Sequence, residues 1–222
     1  MRDILKNETY FNDFITRTKA RSEKYFEMRN KIAGIRGEND GEVKSLNYNI
    51  FKFSLHTVIA SYSVGKSIDE MRNLFLKTFD LFLQVEKSAY SDFVQISSLC
   101  TLFEMKEYLS LTAEKASSSG LVDKFLLFML RNPALVISHN GFPEYDKIAN
   151  IMDAADKSTV IKDYLSSWYS ENKDSYWHDM HKNKFDVYFG YWSFESAAAV
   201  KILNFNPLDF YENRYFPRDF FN

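Results

Sequence analysis

Apolar positions recur along the chain at steps of three and four, and Gly and Pro fall mostly between those runs. That spacing predicts helix after helix. Residues 3–32 contain no Gly or Pro and predict a long first helix, broken at most once, which Gly34, Gly37 and Gly41 stop. Residues 46–62 carry Ile50, Phe51, Phe53, Leu55, Val58 and Ile59 at near-helical spacing, with Gly65 as a C-terminal stop. Ser67-Ile68-Asp69-Glu70 reads as a capping box. The stripe behind it is Met71, Leu74, Phe75, Thr78, Phe79, Phe82 and Val85. A further helix is expected from about residue 92 to 115, apolar nearly all round at 93–103 and so buried on several sides.

Ser117-Ser118-Ser119-Gly120 is a polar linker, and it sets the expected boundary between an N-terminal half, 1–116, and a C-terminal half, 117–222. Residues 121–131 predict a short buried helix ended before Pro133. Pro143 suits the first position of a helix running to about residue 155, and 157–172 predicts another. The most apolar segment, 185–203, predicts a central core helix. One side carries Tyr191, Phe194, Ala198, Ile202 and Phe205, and the adjacent side Tyr188, Trp192, Glu195 and Ala199. The triplet Ala197-Ala198-Ala199 admits close neighbours, and the aromatic tail after Pro207 reads as irregular chain packed on the bundle. No period of 20 to 50 residues repeats. The fold class expected is an all-α, multi-helix bundle with an irregular aromatic C-terminal tail.

Composition narrows this. The 222 residues are 45% hydrophobic and 26% charged, enough for a globular core, and 17% aromatic. Seven Gly and four Pro are too few for the turns of a β-sandwich or barrel. One Cys excludes an internal disulfide framework and a cysteine zinc cluster. The uncharged stretch 53–65 is shorter than the roughly 20 residues a bilayer span needs. Residues 1–20 are too charged for a signal-peptide core, so a cytoplasmic location is expected. A net charge of -2 does not suit coating nucleic acid. The charge is uneven: residues 1–36 hold nine basic and five acidic side chains (+4), and the remainder holds 19 basic and 25 acidic (-6). A solvated helix face accounts for the basic segment; an acidic remainder facing a basic partner is the alternative.

The densest polar group is Tyr176-Trp177-His178-Asp179-Met180-His181-Lys182. On a helix His178 and His181 would share a face and could approach a metal. His178-Asp179 also looks like the histidine–aspartate pair of metal-dependent phosphohydrolases, but only His56 and His139 remain as further histidines. The competing reading is histidines hydrogen-bonded in a packed aromatic junction. No Glu-x-x-His pair and no Gly-rich phosphate loop occurs, so no metal and no cofactor is expected. Cys100, between apolar neighbours, reads as a small hydrophobe. Glu195 must be paired or hydrogen-bonded if buried; a structural role and a functional acid both remain open.

Tyr188-Phe189-Gly190-Tyr191-Trp192-Ser193-Phe194-Glu195, followed by Ser196-Ala197-Ala198-Ala199, resembles the C-terminal signature of the PoNi-type immunity proteins. Trp168-Tyr169, the 176–182 stretch and Tyr215-Phe216-Pro217-Arg218-Asp219-Phe220 resemble further segments of that family. So do Arg2-Asp3-Ile4-Leu5-Lys6 with Tyr10-Phe11, and Tyr62-Ser63-Val64-Gly65. The departures are mild: His178 stands where an aromatic is expected, and Asn206-Pro207-Leu208 replaces a polar loop. The resemblance implies two coupled helical halves, no catalysis and no cofactor. It implies binding to a cognate PoNe-type DNase toxin of polymorphic or type VI-secreted antibacterial systems, a protein partner and neither nucleic acid nor membrane. On this reading the -6 remainder favours a basic partner. Tyr191, Trp192 and Phe194 read as core, and acid density at polar junctions makes Glu144, Asp146, Asp153 and Asp156, beside Asp179 and His181, the expected toxin-binding residues. A phosphohydrolase using His178, Asp179 and His181, and a generic helical scaffold, are the competing functions.

Overall fold

The computed structural model describes residues 1–221. The described residues form nine α-helices and several one-turn 3-10 segments, with no strand, so the all-α class holds. The chain divides into two compact units. The first is Met1–Ser88 with Asp179–Gly190; the second is Ala89–His178 with Tyr191–Asn222.

In the first unit, α1 (Glu8–Arg36) starts later than the pattern suggests. The Asp3 carboxylate accepts from the N–H groups of Leu5 and Lys6, which folds the first residues into a turn, and the N–H groups of Arg2 and Asp3 donate to Ser63 O. The Asn7 side chain then caps α1 by accepting from Tyr10 N–H. The helix runs unbroken through Gly34 and stops at Gly37, whose φ is 87°. Asp40 caps α2 (Gly41–Val64), which ends at the left-handed Gly65. There φ is 98° and a Cβ would lie 2.9 Å from Met1 N, so both the turn and the close approach call for glycine. The capping box forms in both directions and starts α3 (Ile68–Gln84). Helix α2 packs against α1 on one side and α3 on another. Their seam is Phe11, Phe14, Phe51, Phe75, Phe79 and Phe82, all buried.

The second unit holds α4 (Tyr90–Leu102), α5 (Lys106–Ser118), α6 (Lys124–Leu130), α7 (Asp146–Ala149), α8 (Lys157–Glu171) and α9 (Phe194–Ile202). Helix α4 packs on α5, α6 and α9, while α8 packs on α7 and α9. The single helix expected over 92–115 is two. The chain breaks at Glu104, where φ is 62°, Met105 N–H donates to Cys100 O, and Lys201 Nζ meets both the Glu104 carboxylate and Leu102 O. Helix α4 is buried on almost every face and α5 is half polar, and the turn lets α5 fold back along α4. The helix expected after Pro143 is a chain of short turns: Pro143–Tyr145, α7, then Asn150–Met152, which drop Ile148 and Ile151 into the core.

The largest correction concerns 185–203, of which only Phe194–Ile202 is helical. Residues 188–193 are buried apart from half-buried Trp192, yet non-helical, and several of their backbone groups bond elsewhere. Tyr188 N–H donates to the Tyr10 hydroxyl oxygen, the Ser63 hydroxyl donates to Phe189 O, and Ser193 N–H donates to Tyr215 O. Gly190, at φ 120°, turns the chain between Phe189 and Tyr191.

Candidate functional site

The four second-unit acids lie on the short turns between α6 and α8, and all are exposed. Glu144 sits in the Pro143–Tyr145 turn and Asp146 begins α7. Neither enters an ion pair among the described residues. Asp153 pairs with Lys124 Nζ at 3.0 Å. Asp156 is the cap of α8: its carboxylate accepts from Thr159 N–H and hydroxyl, and these bonds pull its pKa below the usual range. Lys147, the only cation between Glu144 and Asp156, is paired with Glu171 at 2.6 Å. The stretch therefore presents a local excess of negative charge. Asp179 and His181 belong to the other unit, where Asp179 meets Lys182 Nζ at 2.9 Å.

The histidine pair does not share a helical face. Residues 175–182 form turns, with Asp179 left-handed at φ 59° and a single 3-10 turn at Met180–Lys182. The His178 ring lies 4.2 Å from that of Tyr169 in the second unit. The His181 ring meets Tyr188 edge-on in the first, and burial lowers its pKa. No group of three or more His, Cys, Asp or Glu among the described residues is arranged to hold a metal ion, so the phosphohydrolase alternative lacks the ligand set it requires. Cys100 is buried, and burial pushes its thiol pKa up, away from nucleophilic use.

Glu195 is a structural hub. One carboxylate oxygen, Oε1, accepts from Trp168 Nε1 at 2.6 Å, Ser193 Oγ at 2.7 Å and Tyr164 Oη at 2.9 Å. Burial nevertheless raises its pKa. Three more acids are buried with comparable duties. Asp3 accepts from the Tyr188 hydroxyl at 2.6 Å, Asp92 accepts from Ala89 N–H, and Asp123 accepts from both Tyr90 Oη and Leu126 N–H at the start of α6. Asp92 and Asp123 each precede an apolar run, which is the signal that would have marked them as helix-start acids.

The first unit carries 17 basic and 14 acidic side chains (+3), and the second 11 and 16 (-5). Three of the second unit's 16 carboxylates, Asp92, Asp123 and Glu195, are buried, so its surface acidity depends on local clusters such as 144–156.

These features define an all-helical protein of two units with buried, hydrogen-bonded acids inside and a group of exposed acids between Glu144 and Asp156. Residues 2–111 match the family model for the N-terminal region of the PoNe immunity proteins (PoNi), and residues 121–220 match the one for their C-terminal region. The chain belongs to the PoNe immunity protein family. No curated protein and no solved structure matches it. Among the described residues no helix is long and apolar enough to cross a membrane.

Proposed function

We propose that this chain binds a cognate antibacterial DNase toxin in the cytoplasm and neutralises it by protein–protein inhibition, without catalysis and without a cofactor. Such a partner belongs to a polymorphic or type VI-secreted toxin system, and the complex protects the producing cell or its siblings. The observation that carries the reading is the match of both halves of the chain, in order, to the two PoNi family models. The surface chemistry is compatible with it. A DNase must offer cationic groups to phosphates, and the exposed carboxylates Glu144, Asp146, Asp153 and Asp156 are of the sign that would complement them. Asp179 and His181 are a separate candidate contact on the first unit.

The test is binding to the DNase domain of a candidate cognate PoNe-type toxin, measured over a range of salt. Glu144→Lys with Asp146→Lys is expected to weaken association about tenfold at low salt and to flatten the salt dependence. At Asp156 the informative variant is Asp156→Asn, which removes charge but keeps the α8 cap; Asp156→Lys would also cost about 1 kcal/mol of helix stability. Unchanged affinity and salt slope in these variants would remove the carboxylates from the interface.

A further inference from the structure

The second unit's exposed large apolar side chains, Leu111, Met152, Tyr176 and Leu208, stand singly, with one contiguous exception. Between α6 and the Pro143 turn, Pro133, Ala134, Val136 and Ile137 are all exposed, Val136 at 79% and Ile137 at 45%. The segment is not loose chain. Its first stem is fixed at the left-handed Arg131, whose N–H donates to Leu127 O, and by Asn132, whose side chain accepts from Ala134 N–H and whose carbonyl accepts from Leu135 N–H. Its second stem is fixed at Val122, whose carbonyl accepts from the N–H groups of Ser138 (2.7 Å) and His139 (3.0 Å) and whose own N–H donates to Ser138 Oγ. Beyond that stem the His139 ring stacks on Phe142 at 4.1 Å and Phe142 on Tyr90 at 3.6 Å, and the Tyr90 hydroxyl is anchored on Asp123. Between the stems, the backbone N–H groups of Val136 and Ile137 make no hydrogen bond among the described residues.

A loop clamped at both ends and bare at an apolar tip resembles the buried centre of an interface seen before the partner arrives. Ordering costs little because the stems are already set, and β-branched side chains lose little rotamer freedom on docking. The flanking charge selects the partner. Seven and nine residues after Ile137 stand the exposed, unpaired carboxylates Glu144 and Asp146, joined to the loop through the same pinned stem, where Gly141 N–H donates to His139 Nδ1. An apolar tip with two exposed carboxylates beyond its second stem, against one exposed cation, Arg131, at its first, fits an apolar pocket whose rim is mainly cationic.

We infer that the 133–137 loop, with Val136 and Ile137 at its tip, is the apolar anchor by which this protein holds the basic surface of its nuclease toxin. This rests on the immunity reading above. The anchor sets how long the complex lasts, and the carboxylates set how fast it forms.

The experiment compares the wild-type chain with Val136→Ser/Ile137→Ser, using the DNase domain of a candidate cognate PoNe-type toxin as the probe. Ile35→Ser, at an apolar site on α1 about as exposed as Val136, is the control. The double variant is expected to bind about 30- to 100-fold more weakly, chiefly through faster dissociation, with an unchanged melting temperature, while the control binds as wild type. Hydrogen exchange on the wild-type complex supplies a readout free of mutation: the amides of Val136 and Ile137 exchange fast in the free protein and are protected in the complex. Wild-type binding with a double variant within twofold of it, or unprotected loop amides in the complex, overturns the anchor and leaves the immunity reading intact. A wild-type protein that neither binds nor restrains the nuclease overturns both.

Discussion

A carboxylate buried in an apolar helix loses several kcal/mol of hydration that only surrounding donors can offset. Glu195 meets three donors on one oxygen, from Tyr164, Trp168 and Ser193. Even so, burial outweighs them and raises its pKa above the ordinary 4.5. The folded state therefore holds this proton more tightly than the unfolded chain does, so stability falls as pH rises from 4.5 through the raised value. Glu195→Gln keeps an acceptor oxygen and removes the titration. The stability of wild type relative to this variant is expected to decline with rising pH across that window, and a difference independent of pH would refute the assignment. Glu195→Ala strands the buried Tyr164 and Trp168 donors, while Ser193 keeps Ser196, and should cost about 3 kcal/mol at any pH. All three tryptophans, Trp168, Trp177 and Trp192, lie in the second unit, so urea unfolding followed by tryptophan fluorescence reports on the unit that holds Glu195. The burial of Glu195 was legible in the sequence from its apolar neighbours. Its partners were not: Tyr164 and Trp168 sit 31 and 27 residues away, and no local pattern encodes that pairing.

Elements defined by local chemistry were read well and those defined by distant partners were not. The Ser67–Glu70 capping box and the Gly65 stop each need only a few adjacent residues, and both are present as expected. The aromatic run 185–193 has helical spacing, yet its backbone is bonded by Tyr10, Ser63 and Tyr215, contacts of long range that outweigh local propensity. The result is a strap, Asp179–Gly190, that folds with the first unit. Tyr188 and Phe189 lie against Phe11, Phe14 and His56 there, with the Phe189 ring stacked on His56 at 4.0 Å. Tyr188→Phe removes the hydroxyl that satisfies buried Asp3 and is expected to cost about 1–3 kcal/mol, read as a lower melting temperature by circular dichroism. The strap also makes the two family-matched regions interdependent. Region 2–111 supplies α4 to the second unit, and region 121–220 supplies the strap to the first. Each region produced alone should lack cooperative unfolding, and mixing the two should restore it. Cooperative unfolding of isolated 2–111 would contradict this dependence.

Over the whole molecule, charge is divided between the units, +3 on the first and -5 on the second. The sequence showed the asymmetry as a basic first segment and an acidic remainder, but it could not separate surface carboxylates from those that the fold buries. Asp92, Asp123 and Glu195 belong to the interior, which leaves the exposed turns from Glu144 to Asp156 as a cluster whose one intervening cation, Lys147, is already paired. The helical period marked the apolar faces of the long helices, whereas the exposed Val136 and Ile137 lie in a loop that has no such period. Function was legible at this scale only through family resemblance, because immunity leaves no catalytic residue pattern to find. The most direct measurement is a DNA-cleavage assay in which the purified DNase domain of a candidate cognate PoNe-type toxin is titrated with this protein. Cleavage is predicted to fall to nothing as a stable complex forms; undiminished cleavage at saturating protein would contradict the claim that this chain neutralises that nuclease.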